Sequence, residues 1–183
     1  AMTVTDYQIF NVQQLAGNKK AFIDFLYGFK DHFVDMAIWE KGTGTPSLPK
    51  NVMNCAFEYV CIFSQEENPT RNIKTGYFHG TVQNVFHGSS QRNNEFADIH
   101  SATFPVGLPS YFVGGLTTIG SKVLDIFGGT GTTLIACEQM KRKCYMIEID
   151  ERYTDVILNR WAKLTGKDPV CEDGTLWSEL KQT

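Results

Sequence analysis

The sequence lacks any apolar run long enough to cross a membrane, which takes roughly 20 residues, and no charged leader precedes an apolar stretch. We therefore expect neither a membrane span nor a signal peptide. Internal repeats are also missing. The apolar content of 42% is sufficient for an ordinary globular core, and a chain of 183 residues predicts a single domain over residues 1–183.

Cysteine occurs an odd number of times, five, and no two cysteines form a C-x-x-C pair. The spacings suit neither a disulfide framework nor a zinc site, so no metal site is predicted. We expect reduced and mostly buried thiols in a cytoplasmic protein, and the cysteines are Cys55, Cys61, Cys137, Cys144 and Cys171.

An excess of basic residues is missing too, since the net charge is −3. Proteins that hold nucleic acid usually carry a basic patch, because counterions released from the phosphates supply much of the affinity. The total charge therefore neither indicates nor excludes a DNA partner.

The spacing of the apolar residues predicts strands and helices in alternation, which is typical of an α/β fold. The last third of the chain predicts a strand, a glycine-rich turn, a helix, a second strand and a second helix. The predicted elements are strands over 7–12, 34–39 and 57–63, a helix with Phe22, Phe25, Leu26 and Phe29 on one face, a loop over 42–49, a helix over 105–119 that begins at a proline, strand 122–126, helix 131–141, strand 144–149, and helix 151–165, which Gly166 ends.

Residues 64–98 differ from the rest because they are polar and show no helical period. Such a segment is either a solvated surface loop or an inserted recognition segment. It contains Arg71, Lys74 and Arg92, with acidic residues interspersed.

The most informative stretch runs from Val123 to Thr133, where a predicted strand ends in Asp125 and a glycine-rich turn opens a helix. Glycines let the backbone pass close to a ligand, and the free N–H groups of a helix start favour an anionic ligand group. Glu148 follows at the tip of the next strand, where an acid can accept hydrogen bonds from both ribose hydroxyls of a nucleoside cofactor.

The residues around this turn distinguish between cofactors. No lysine follows the glycines, as a phosphate-binding P-loop needs, and Leu134 stands where the dinucleotide pattern needs a third glycine. Asp125 would repel a pyrophosphate but suits an ammonium or a sulfonium, and Phe127 offers an aromatic face to a cation. The residues therefore favour S-adenosylmethionine, and a glycine turn that merely closes a β–α unit stays the alternative.

Residues 125–133 and 142–150, together with Tyr153, closely resemble the C-terminal half of β-class DNA methyltransferases, which act on N6 of adenine or N4 of cytosine. Further segments resemble phage and bacterial members of that family: 11–19, 39–41, 57–59, 100–105 and 160–167. The resemblance implies a Rossmann-like, S-adenosylmethionine-dependent methyltransferase fold of the α/β class. It also implies that this fold is incomplete and carries residues 64–98 as an irregular target-recognition insertion.

The resemblance implies roles for individual residues. Glu148 would bind the ribose hydroxyls and Ile149 would lie against the adenine ring, while His100 and Phe104 would flank the methionine end. Thr132 and Thr133 would cap the helix and contact the cofactor's carboxylate. The implied cofactor-binding residues are Asp125, Phe127, Gly128, Gly129, Thr130, Gly131, Thr132, Thr133, Glu148, Ile149, His100 and Phe104. For His100, a loop histidine with a purely structural role is the alternative.

Two departures from the family pattern are visible. Ile126 replaces the usual proline, which loosens the turn but removes no functional group. The family's [D/N/S]-P-P-[Y/F/W] tetrapeptide, which accepts the amine hydrogens and stacks on the flipped-out base, is absent, because no Pro-Pro pair occurs in the sequence. We expect that the chain is truncated and starts just after this motif. Its catalytic residues therefore stay unknown.

Two hypotheses of different class follow. In the first, the chain represents a DNA adenine-N6 or cytosine-N4 methyltransferase that acts on double-stranded DNA, with Arg71, Lys74 and Arg92 as candidates for contact with phosphates or bases. In the second, it is a non-catalytic module that binds the cofactor or DNA and pairs with a second copy or with a partner chain that brings the tetrapeptide. A nicotinamide dehydrogenase is a third reading, which the missing glycine argues against.

Overall fold

In the computed structural model, the chain divides into two compact units, Ala1–Ser90 and Gln91–Thr183. The structure describes residues 4–13, 15, 17–42, 50–78, 82–89 and 104–180. The prediction of a single domain stays a prediction.

The first unit is built on a four-stranded mixed sheet with the order β1-β3-β2-β4. Strand β3 is antiparallel to both β1 and β2, whereas β4 runs parallel to β2. The elements are β1 (Tyr7–Val12), α1 (Lys19–Gly28), a short 3-10 helix (Lys30–His32), β2 (Phe33–Glu40), β3 (Phe57–Ser64) and β4 (Val85–His87).

Phenylalanine rings form the core of this unit. Phe63 in β3 is 1% exposed, and its ring lies edge-on to those of Phe10 and Phe25 at centroid distances of 5.8 and 5.4 Å. Phe22 of α1 stacks on Tyr59 at 5.3 Å. Helix α1 therefore covers one face of the sheet through the apolar spacing that predicted it.

The second unit contains a β–α–β arrangement in which β5 (Lys122–Asp125) and β6 (Lys143–Met146) pair in parallel. Helix α3 (Thr132–Gln139) connects the two strands and buries Ile135, Ala136 and Cys137. Three further helices belong to this unit: α2 (Gly107–Leu116), α4 (Glu151–Thr165) and α5 (Trp177–Leu180).

All the predicted strands and helices are present in the described residues, but several boundaries and one segment were wrong. Strand β6 ends at Met146 rather than at residue 149, and α2 begins at Gly107 and ends at Leu116. Residues 64–98 contain a short strand, β4, although no strand was predicted there, and α5 was not predicted. The predicted loop 42–49 lies outside the described residues, apart from Gly42.

The five cysteines are free, as predicted. The expectation that most of them are buried was wrong, because only Cys61 and Cys137 are buried and Cys171 is exposed in a turn near the end of the chain. Burial raises the pKa of the Cys61 thiol to about 11, so this thiol is unreactive near neutral pH. None of the helices among the described residues is both long and apolar enough to span a membrane.

Candidate cofactor site

The glycine-rich turn connects the end of β5 to the start of α3. Gly129 and Gly131 adopt left-handed backbone conformations, with φ of 53° and 77°. The turn is closed by a hydrogen bond of 2.8 Å from the Gly131 N–H to the Gly128 carbonyl. At its start, the Phe127 N–H donates to the Asp125 carboxylate at 3.0 Å. The predicted motif therefore forms a tight turn at the carboxyl end of a strand, where ligands of open α/β sheets bind.

Two of the three glycines lie close to other side chains of the protein. A Cβ atom at Gly128 would lie 2.7 Å from Cγ of Met146, and one at Gly131 would lie 3.0 Å from Cγ1 of Ile157. At Gly129, a Cβ atom would meet only the Phe127 carbonyl oxygen, at 3.9 Å. The space in front of Gly129 is thus open, whereas the other two glycines pack against β6 and α4.

The Glu148 side chain folds back onto this turn. One carboxylate oxygen accepts a hydrogen bond of 2.6 Å from the Gly129 N–H, and the other accepts bonds of 2.9 Å from the Ile149 and Asp150 N–H groups. These backbone donors, that of Asp150 first, hold the pKa of Glu148 below its ordinary value. The structure thus places Glu148, from the end of the second predicted strand, against the glycine turn that follows the first.

Large apolar side chains surround the turn with much of their surface exposed. Phe127 is 80% exposed and Ile149 is 99% exposed. Ring and aliphatic surface exposed next to hydrogen-bonding groups is typical of sites that hold a flat, partly polar ligand. These positions agree with the predicted neighbours of a nucleoside, although their contact with a cofactor stays a prediction.

Helix α3 starts differently from the expectation. Gly131 occupies the N-cap position, so the expectation that Thr132 and Thr133 cap the helix was wrong; they are its first two residues. Thr130 and Thr132 are 5% and 4% exposed, and their hydroxyl oxygens lie 3.4 Å apart. Their hydroxyls therefore point into the protein.

Arg160 of α4 was missed as a site residue by the sequence reasoning. It lies beneath the turn and donates hydrogen bonds to the main-chain and side-chain oxygens of Thr130 and to Thr132. A signal existed in the sequence, because Arg160 falls three residues after Ile157, on the apolar face of an amphipathic helix, where a cation needs a buried partner.

Phe104 and His100 were predicted to flank the methionine end of the cofactor, and these roles stay predictions. Phe104 lies half-buried shortly before α2, and His100 lies outside the described residues. Among the described residues, no group of three or more His, Cys, Asp and Glu side chains could hold a metal ion.

Two of the predicted DNA-contacting residues, Arg71 and Lys74, belong to the first unit and are engaged in ion pairs there. Arg71 donates to the Asp35 carboxylate at 2.7 and 3.1 Å, and Lys74 donates to both oxygens of Glu66 at 2.6 and 2.7 Å. Glu66 accordingly raises the pKa of Lys74. Arg92 lies outside the described residues. A phosphate group would have to compete with these acids for both cations.

Comparison with solved structures first defines the class of fold. The chain superimposes on the M1.HpyAVI–SAM complex with a TM-score of 0.65 and 18% identity, covering 85% of this chain and 74% of that one. On the PvuII DNA methyltransferase (cytosine-N4-specific), the TM-score is 0.59 with 22% identity, covering 88% and 70%. The predicted Rossmann-like methyltransferase fold is confirmed.

The sequence comparisons then give the family. The model of the family described as DNA methylase matches residues 3–159, and the chain belongs to this family. It is 31% identical over 140 residues to the type II methyltransferase M.Cfr9I of Citrobacter freundii, covering 72% of this chain and 44% of that protein. It is 27% identical over 173 residues to M.MthZI of Methanothermobacter thermautotrophicus, covering 80% and 48%. The chain thus spans about half the length of the curated relatives it matches.

Proposed function

We propose that this chain forms the cofactor-binding part of an S-adenosylmethionine-dependent DNA methyltransferase that acts on N6 of adenine or N4 of cytosine. The observation that carries the proposal is the Glu148 carboxylate, anchored on the Gly129 N–H at 2.6 Å. This contact supports a site in which a nucleoside lies across the carboxyl ends of β5 and β6. Membership of the DNA methylase family supports the reaction class.

The donors and acceptors of the site fit the proposed cofactor. An ionised carboxylate offers about four acceptor positions, and Glu148 uses three of them for backbone N–H groups. Acceptor capacity is left for a ribose hydroxyl, and the same backbone bonds fix the direction of the carboxylate. The exposed surface of Ile149 suits an adenine ring, and the open space at Gly129 admits the sugar.

The methionine end would lie at the start of the turn. Asp125 is an acceptor for the ammonium group, and Phe127 presents an exposed ring to the sulfonium. His100 and Phe104 are proposed to flank the same end of the cofactor. Thr133 and the first N–H groups of α3 would face the carboxylate. Bound S-adenosylmethionine supplies an electrophilic methyl group, and the residues named here hold and orient it.

We assign no catalytic residue within this chain. The exocyclic amine of adenine or cytosine is a weak nucleophile because its lone pair is delocalised into the ring. Members of the family carry a tetrapeptide that accepts the amine hydrogens, and this sequence lacks it. Double-stranded DNA is the proposed partner, with Arg71, Lys74 and Arg92 as candidate contacts. The type II class of the relatives places the proposed activity in restriction and modification, and the proposed compartment is the cytoplasm.

The missing tetrapeptide favours a second candidate function. The chain would then be a non-catalytic module that binds the cofactor or DNA and receives the tetrapeptide from a second copy or a partner chain. Incubating the purified chain with methyl-labelled cofactor and mixed-sequence DNA separates the two candidates. Label on the DNA supports the enzyme, whereas calorimetric binding of the cofactor without label on the DNA supports the module. Absence of cofactor binding contradicts the proposed cofactor site.

A further inference from the structure

Nη1 of Arg160 lies within hydrogen-bonding distance of three oxygen atoms in the residues that form the glycine turn. Its Nη1 atom lies 2.5 Å from the Thr130 carbonyl oxygen, 3.1 Å from Oγ1 of Thr130 and 3.2 Å from Oγ1 of Thr132. Hydrogen bonds from a charged donor are stronger than neutral ones, and these acceptors are nearly inaccessible to water. The contacts thus join α4 firmly to the turn.

The peptide group between Thr130 and Gly131 is held at both ends. Its carbonyl accepts from Arg160, and its N–H donates to the Gly128 carbonyl at 2.8 Å. A planar peptide group fixed at both ends cannot rotate without breaking one of these bonds. The path of the chain through Gly129, which carries the contact with Glu148, depends on that orientation.

Helix α4 also supplies the surface on which the turn rests. Ile157 lies three residues before Arg160, on the same face of the helix, and its side chain would be 3.0 Å from a Cβ atom at Gly131. An aliphatic side chain therefore sets how closely the turn approaches α4, and the guanidinium sets which way its peptide group faces.

We propose that Arg160 is a positioning residue of the cofactor site, which orients the Thr130–Gly131 peptide group so that Gly129 and Glu148 present a preformed surface to the ribose. This inference rests on the proposed function. Arg160 acts through the backbone and not through its charge on the cofactor. Loss of the Arg160 side chain therefore weakens binding of S-adenosylmethionine and of S-adenosylhomocysteine by the same factor, although the sulfur of the second compound is uncharged.

The test is calorimetric titration of the whole chain with both compounds, at a temperature well below the unfolding midpoint. We expect Arg160→Met to weaken both affinities by about tenfold, the loss expected for a hydrogen bond to a charged group, and Arg160→Lys to restore most of the loss. The matched control is Lys163→Met, which removes an exposed cation on the same helix and should leave both affinities unchanged. If Arg160→Met does not fold, Arg160→Gln replaces it with the same expected loss.

The outcomes separate this inference from the proposed function. If the wild type binds the cofactor and a folded Arg160 variant binds it with the same affinity, the positioning role is overturned. The proposed cofactor site is then unaffected. If the Arg160 variant has a lower unfolding midpoint but unchanged affinities, Arg160 makes only a structural contact, which also overturns the inference. No binding by the wild type overturns the proposed cofactor site and the inference with it.

Discussion

At the scale of single residues, Glu148 connects the two strand ends that form the site. Its carboxylate bridges the turn after β5 and the backbone after β6 through bonds to Gly129, Ile149 and Asp150. Main-chain contact between the two segments continues past Met146, because the Ile147 N–H donates to the Asp125 carbonyl and the Gly128 N–H donates to the Ile147 carbonyl, each at 2.9 Å. One side chain therefore joins the segment after β6 to the turn after β5.

Replacement of Glu148 tests its role in binding. We expect Glu148→Gln to weaken affinity for S-adenosylmethionine by about 1–3 kcal/mol, since charge-assisted hydrogen bonds to the ribose are lost, which is about 5- to 150-fold. Calorimetry measures the change. Glu151→Gln, which removes the same charge from an exposed position in the first turn of α4, is the control. Equal affinities in the two variants would show that the ribose lies elsewhere.

The lowered pKa of Glu148 gives an expected dependence of stability on pH. A carboxylate with a depressed pKa in the folded state stabilises the protein above the pKa of the unfolded state, and this contribution is lost as pH falls through the folded pKa. The wild type should thus be more stable than Glu148→Gln at neutral pH, and the difference should shrink in acid. Denaturant unfolding between neutral pH and pH about 3 measures it. A difference that does not vary over this range would contradict the assignment.

Sequence reasoning predicted one part of the site and missed another for a physical reason. Asp125, the glycines and Glu148 were predicted together because parallel strands place their carboxyl ends at one edge of a sheet. Arg160 was missed because its acceptors, the carbonyl of Thr130 and two hydroxyls, become neighbours of α4 only through tertiary packing. The ion pair of Arg71 was missed for the same reason, since Asp35 lies on β2 and is far from Arg71 in the sequence.

At the scale of elements, the contact between α4 and the turn before α3 determines where glycine is required. Gly131 has both a left-handed φ and a close neighbour in Ile157. Gly166, at the end of α4, has φ of 69°, and a Cβ atom added there would meet no other atom within 4 Å. The two positions therefore share a left-handed backbone and differ in what an added Cβ atom would contact.

This difference predicts unequal costs for alanine. We expect Gly166→Ala to destabilise the protein by about 1–2 kcal/mol, the cost of a left-handed non-glycine residue. Gly131→Ala should cost about 1–3 kcal/mol more because its Cβ overpacks against Ile157. Urea unfolding measures the free energy of unfolding of both variants. Equal values would show that α4 shifts to accommodate the Cβ atom at position 131 without a loss of stability.

The elements themselves were predicted more securely than their ends. Long periodic segments such as α4 were predicted within a residue, because their apolar spacing, the Asp150 N-cap and Gly166 all agree. Strand β4 was not predicted, since three residues are too few for a period and the strand depends on pairing with β2. The helix over 105–119 was predicted too long at both ends, and its observed C-cap is the extended residue Thr117.

At the scale of the whole molecule, charge bears on the proposed DNA partner. The net charge is −3, and Arg71 and Lys74 are paired with Asp35 and Glu66. Such exposed pairs are weak, so phosphates can displace the acids at modest cost.

Replacing Arg71, Lys74 or the acidic residues that pair with them tests whether the two cations contact DNA. We expect Asp35→Asn and Glu66→Gln to strengthen DNA binding, and Arg71→Gln and Lys74→Gln to weaken it. Each of the last two should reduce the slope of log affinity against log salt by about 1. Fluorescence anisotropy with duplex DNA at several salt concentrations measures both quantities. Asp24→Asn, at an exposed position in α1, controls for net charge. Equal effects of Asp24→Asn and Asp35→Asn would remove Arg71 from the proposed interface.

The proposed cofactor site depends most on where the nucleoside lies, and a crystal structure of the chain with S-adenosylhomocysteine tests this most directly. We predict a ribose hydroxyl within hydrogen-bonding distance of the Glu148 carboxylate, the sugar next to Gly129, and the adenine ring against Ile149. A ligand bound elsewhere, or a Glu148 carboxylate with no contact to the ribose, would contradict the proposed cofactor site.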